Sequence, residues 1–199
     1  ASIDNYLKNV NKRNEFVVYT NYDNDEFFKI DFPDNVKVKK INVTKMSSIK
    51  NLLFNAFVFP FLSLKEKADI VYLPNFTLIS FSFRPIVSVI YDMIEFKIEE
   101  KFSKLRMAYR HMIVPRMASK SKAVITVSEN SKKDITDICT IDATKISVIY
   151  DAVSNDFNKV SNKSLRLLQD DYILYVGTVD HPGKNLFNAI KAFEKYKYS

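Results

Sequence analysis

The two glycines of this 199-residue chain, Gly177 and Gly183, both fall in the run Tyr175-Val176-Gly177-Thr178-Val179-Asp180-His181-Pro182-Gly183-Lys184-Asn185-Leu186. Average usage of about 7% would give roughly fourteen glycines in a chain this long. Both stand where a backbone would turn sharply or approach a ligand closely. A strand is predicted before the run and a helix after it. Free N–H groups of that helix, with the charge of Lys184, would make a seat for a diphosphate. The alternative is a plain strand–turn–helix connection, and spacing alone leaves both open. The run is neither a P-loop nor the dinucleotide glycine fingerprint. His181 either touches the same ligand or fills the turn before Pro182.

Other candidates stand at strand ends. Asp92 follows a predicted strand, where a carboxylate is costly to keep unless paired or useful; capping the next turn is the other reading. Ser128 follows another strand. Ser128 or Ser131 suits a helix N-cap, with Asp134 three residues after Ser131 resembling a capping box. His111 reads as a surface or packing residue, and Glu95, Glu99 and Glu100 as a solvated run.

The elements that must position these groups alternate. Apolar runs at 16–20, 36–43, 70–73, 86–91, 123–127, 146–150 and 172–176 read as strands, most with the continuous Val/Ile/Tyr content of strands buried on both faces. Helical stretches are expected at 3–10, 50–66, 102–118, 131–138 and 184–196, with Pro60 kinking or splitting the second and Pro115 interrupting or kinking the third. This order predicts an α/β fold, a parallel sheet with helices on both faces, whose functional groups lie beyond the strand C-termini. The polar stretch 154–171 reads as a linker, with a boundary near Lys163. Residues 1–163 would form one domain and 164–199 the start of a second. Both chain ends read as cut.

Composition narrows the partners. The net charge of +7 calls for an anionic neighbour. The basic residues are dispersed, with Lys37, Lys39 and Lys40 interleaved among apolar residues as on a solvated strand face, and no nucleic-acid-binding signature occurs. The single Cys139 excludes an internal disulfide and fits a reducing, cytoplasmic compartment. No run of apolar residues is long enough to span a bilayer. Phe54, Phe57, Phe59 and Phe61, flanked by Lys50, Lys65 and Lys67, would form either core or a docking surface at the inner face of a membrane.

The run Ala123-Val124-Ile125-Thr126-Val127-Ser128-Glu129-Asn130-Ser131, followed by Lys145-Ile146-Ser147-Val148-Ile149-Tyr150-Asp151-Ala152-Val153 and Phe157, resembles the retaining GT-B glycosyltransferases of family 4. Tyr172 to Thr178, then Lys184-Asn185-Leu186 and Ala192-Phe193, is similar to the same family's second-domain loop and helix. Ile90-Tyr91-Asp92 resembles its strand-end His-Asp pair, with Tyr91 in place of the histidine. The likeness covers most of the chain from Ala68 to Phe193.

The resemblance implies a Rossmann-like acceptor-side domain, lacking its first strand here, and the first strand and helix of a Rossmann-like nucleotide-sugar-binding domain. The implied activity is transfer of a hexose from a nucleotide-diphosphate sugar to a glycan or lipid-linked acceptor, with retention, in surface polysaccharide synthesis. No cofactor and no metal is implied. Lys184, with Asn185 beside it, matches the position that contacts the donor diphosphate; Thr178 stands where many members carry arginine, and Gly177 lets the backbone approach the phosphates. Asp92 and Tyr91 are the implied catalytic pair. A tyrosine there would donate a hydrogen bond to a sugar hydroxyl rather than shuttle a proton near neutral pH. The paired glutamates implied for donor sugar and ribose are expected after Ser199, so the 199 residues alone are expected to be inactive. The competing readings are a GT-B nucleotide-sugar epimerase and a non-catalytic basic interaction module.

Overall fold

The structure, a computed structural model, describes residues 14–20, 32–41, 53–75, 81–98, 104–152, 172–179 and 184–197. The expected helix at 3–10, the linker at 154–171 with its boundary at Lys163, and Lys50, Glu99, Glu100, Phe157, His181 and Gly183 lie outside them. The chain divides into two units, Ala1–Asp92 with Met112–Phe157, and Met93–His111 with Asn158–Ser199.

In the first unit the described strands form two parallel sheets. β1 (Phe16–Thr20) pairs with β2 (Val36–Lys40). β3 (Val71–Leu73), β4 (Ile86–Val89), β5 (Ala123–Thr126) and β6 (Ile146–Val148) form the second sheet in sequential order. Register aligns Leu73, Ser88, Val124 and Ile146 across it, and Val71 with Ile86. All six are buried, as is Thr126 on the same face. The opposite face is half open: Tyr72 and Ser147 are exposed, while Val87, Ala123 and Ile125 are half-buried. Burial on both faces was the expectation, and it holds at Val89 but not at the outer strands. Ser88 and Ser121 place two hydroxyls in the core, 2.8 Å apart. Ser121 gives its proton to the Met117 carbonyl at 2.7 Å, so Ser88 donates to Ser121 and neither hydroxyl is stranded.

The helices answer to their prolines differently. A π-type turn, Phe54–Val58, runs into α1 (Phe59–Lys65), with Pro60 in the first turn of α1, where its missing N–H is harmless. The backbone stays helical through Val58 and Phe59, so the expected helix is re-wound as a π-type turn ahead of Pro60 and is not broken there. α1 closes in a Schellman motif, Ala68 N–H to Ser63 O at 3.0 Å and Lys67 N–H to Leu64 O at 2.9 Å. Lys67 takes the left-handed position, φ 53°, that usually falls to glycine. Glu66 at its C-cap accepts Lys39 Nζ on both carboxylate oxygens at 2.6 Å and Tyr19 Oη at 2.7 Å, tying the β1–β2 pair to α1.

α2 (Ile94–Lys97) is a single turn, and α3 (Lys104–Lys120) continues through Pro115 rather than stopping there. Ile113, Val114, Met117 and Ala118 around that proline are buried, and their burial offsets the lost backbone bond. α4 (Glu129–Cys139) follows β5, and a 3₁₀ turn (Ala143–Lys145) leads into β6. Cys139 is buried in α4, and burial pushes its thiol up to about 11, which makes it a packing residue, not a nucleophile.

In the second unit α5 (Leu186–Lys197) is the one long helix described in full. The run 172–176, expected as a strand, joins no ladder among the described residues, and Ile173, Leu174 and Val176 are exposed. A strand is defined by a neighbour that takes its backbone groups, and β-rich composition alone supplies none.

Candidate functional site

A parallel sheet brings the C-terminal ends of its strands to one edge. At β4 the ladder runs one step further, Ile90 N–H to Ile125 O at 2.9 Å, and then releases Tyr91 and Asp92, both exposed. At β5 it ends in Val127 and Ser128. At β6, Ile149 N–H bonds Thr126 O at 2.8 Å before Tyr150 and Asp151 emerge exposed. The Thr126 hydroxyl points at the Tyr91 carbonyl, at 3.5 Å the limit of a hydrogen bond. The expected pair Tyr91 and Asp92 therefore stands on this edge, beside the end of β5.

Tyr72 on β3 is a neighbour that sequence reasoning missed. Burial first, and then the charge of nearby Tyr91, push its phenol above the ordinary range. The Tyr72 phenol on β3 is thus within electrostatic reach of Tyr91, just past the end of β4. No local pattern carries this, since the β3–β4 register sets Tyr72 opposite Val87 rather than Tyr91.

Ser128 is spoken for. Its hydroxyl oxygen accepts Ser131 N–H at 3.1 Å as the N-cap of α4. The capping reading holds with Ser128 as the cap and Ser131 inside the first turn, while Asp134 accepts Asn130 Nδ2 at 3.4 Å. Glu95 departs from its expectation as a solvated acid. It pairs with Arg110 Nε at 3.0 Å, both side chains largely buried, and beside it the Phe96 ring lies 4.4 Å from that of His111. These contacts hold α2 to the middle of α3, and His111 packs as expected.

The second unit supplies the glycine run. Gly177 has no positive φ. The Tyr175 ring folds over it, and its Oη donates to Thr178 O at 2.9 Å. Asn185 takes φ 49° and its carbonyl accepts Asn188 N–H at 3.2 Å and Ala189 N–H at 3.3 Å. Asparagine tolerates this left-handed geometry better than most residues, and here it starts α5. Lys184, expected as the first helical residue, stands instead just ahead of the helix, exposed, and the first turn of α5 carries no acid. The first amides of such a helix have no intrahelical acceptor, and its positive dipole end favours anions.

Among the described residues no group of three or more His, Cys, Asp or Glu is placed to hold a metal ion, and no helix is long and apolar enough to cross a membrane. Comparison with curated proteins gives no match. The family described as Glycosyltransferase Family 4 matches residues 3–157, which takes in the sheet, Tyr91, Asp92 and Ser128 and stops short of Gly177. With a match over more than half its length, on a mixed α/β Rossmann-like framework of parallel strands, the chain belongs to Glycosyltransferase Family 4.

Proposed function

We propose that the chain acts in transfer of a hexose from a nucleotide-diphosphate sugar to a glycan or lipid-linked acceptor, with retention of configuration and no resident metal, in cytoplasmic synthesis of a surface polysaccharide. Membership of a glycosyltransferase family supports a transferase acting on a sugar donor and an acceptor. The observation that carries the finer reading is Lys184 standing ahead of the acid-free first turn of α5. In this reading the ammonium and the helix amides bind the diphosphate and stabilise the charge that grows on the departing nucleotide. Gly177 and Thr178 offer backbone to the same phosphates, and Asn185 fixes the start of the helix. Residues 1–163 serve the acceptor side and 164–199 open the donor domain.

On the strand edge, Asp92 accepts a hydrogen bond from a sugar hydroxyl and orients it, and Tyr91 donates one. Neither role needs the proton shuttling that a histidine could provide.

The test is sugar transfer by the complete protein, supplied with UDP-, GDP- and ADP-sugars and an acceptor extract, with the product anomer read by NMR. One donor should give a retained linkage, and Asp92→Asn should lower kcat/KM by about a hundredfold or more. An inverted product, or isomerised sugar nucleotide formed without acceptor, overturns the proposal.

A further inference from the structure

The helical stretch that ends in α1 is turned against ordinary amphipathic logic. Its inward residues are small: Ala56 is 2% exposed, Ser63 6%, and Pro60 is fully buried. Four of its large apolar side chains point out, Leu53 51% exposed, Phe57 53%, Phe61 56% and Leu64 39%, while Phe54, Phe59 and Leu62 are half-buried. These four recur at spacings of four, four and three, which is one face of a helix. Phe81 and Phe83 extend the face sideways, their ring centroids 5.7 and 5.6 Å from that of Phe61 and 5.3 Å from each other. Phe83 is itself exposed. The structure thus sorts the phenylalanines that the sequence grouped together. Phe59 packs edge-on against Tyr19, 6.1 Å between centroids, while Phe57 and Phe61 face water. A contiguous aromatic patch of this kind marks a binding surface.

Its rim identifies the occupant. Lys65 and Lys67 close the helix and Arg84 follows Phe83. Against them stands Asp69, because Glu66 is already engaged by Lys39. In a two-fold pairing of two copies the same cations would be set against themselves. A bilayer carrying anionic headgroups neutralises them and takes the rings into its acyl boundary.

We propose that this patch docks the protein on an anionic membrane surface, with Leu53, Phe57, Phe61, Leu64 and Phe83 inserted and Lys65 and Lys67 at the headgroups. Phe81 and Phe83 lead into the N-terminal end of β4, whereas Tyr91 and Asp92 leave its C-terminal end. Docking therefore leaves the strand edge that carries those two residues uncovered. The inference does not rest on the donor chemistry proposed above.

The chain contains no tryptophan, so Phe61→Trp places a unique fluorophore in the patch. Its emission should shift to the blue on phosphatidylcholine vesicles containing phosphatidylglycerol, and much less on phosphatidylcholine alone. In cosedimentation the full chain should bind the anionic vesicles. Phe57→Ser with Phe61→Ser should weaken that binding at least about tenfold, and Lys65→Gln with Lys67→Gln roughly tenfold at low salt. Circular dichroism checks the folding of each variant; should the serine pair fail to fold, the emission of Trp at position 61 decides. No emission shift and no binding, or binding indifferent to anionic lipid, salt and the serine pair, overturns the proposal. So does a dimer, seen by light scattering, that the serine pair dissociates, because a second copy then covers the face.

Discussion

Tyr175 lies over Gly177, its phenol hydrogen-bonded to the carbonyl of Thr178 at 2.9 Å. A Cβ at residue 177 would meet Tyr175 Oη at 2.9 Å and Cζ at 3.1 Å. The obstacle is the tip of a flexible side chain, which can swing away. Gly177→Ala should therefore change folding stability by less than about 1 kcal/mol, the worth of the one exposed hydrogen bond lost. If the glycine serves close approach of a phosphate, the same variant should weaken nucleotide binding measurably in calorimetry. A variant less stable yet unchanged in binding would make Gly177 a turn residue only.

A chain with two glycines meets its left-handed positions with other residues. Thr140 ends α4 at φ 52°, where a β-branched side chain is strained. Thr140→Gly should relieve about 1–2 kcal/mol of local strain and return about half of it as unfolded-chain entropy. A modest rise in the urea midpoint with unchanged slope is the expected result.

The clasp of Tyr19, Lys39 and Glu66 titrates at both ends of the pH scale. The Lys39 hydrogen bond first, and the Tyr19 hydrogen bond second, hold the Glu66 carboxyl below its ordinary 4.5. A depressed carboxylate stabilises the fold fully above its unfolded pKa, and that contribution fades as pH falls through the lowered folded value. Burial, with the Glu66 bond and charge, pushes Tyr19 from 10.0 up to about 12. A raised phenol stabilises fully below pH 10, and that contribution is lost as pH climbs toward 12. In melting curves Glu66→Gln should flatten the acid limb and Tyr19→Phe the alkaline one.

The two units should respond differently to truncation. Ile90 has no exposed surface, whereas Ile173 is 75% exposed. Ile90→Ala should cost about 2–5 kcal/mol, and Ile173→Ala should stay within about 0.5 kcal/mol. Denaturation by urea checks both.

Much of the first unit was legible in the sequence. β1 occupies the expected 16–20, and β3 to β6 fall within their runs because short Val/Ile stretches bounded by polar residues have few other uses. The strand-end position of Tyr91 and Asp92 was legible for the same reason, since a strand end is punctuated locally. What escaped was non-local or conformational. The Glu95–Arg110 pair depends on how two helices meet, the influence of Tyr91 on Tyr72 depends on the chain's path beyond β4, and the run 172–176 has the composition of a strand without a ladder. Helix continuity through Pro115 was set by the burial around it. Lys184 shifted out of the helix because Asn185 takes the left-handed geometry that starts α5.

The most direct test is titration of the complete protein with UDP, GDP and ADP by calorimetry, repeated with Lys184→Ala. The account predicts that one nucleotide binds without added metal and that removing the ammonium weakens it about tenfold or more, as expected for a lost charge-assisted contact of 1.5–3 kcal/mol. Nucleotide affinity indifferent to Lys184, or no binding of any of the three, would contradict it.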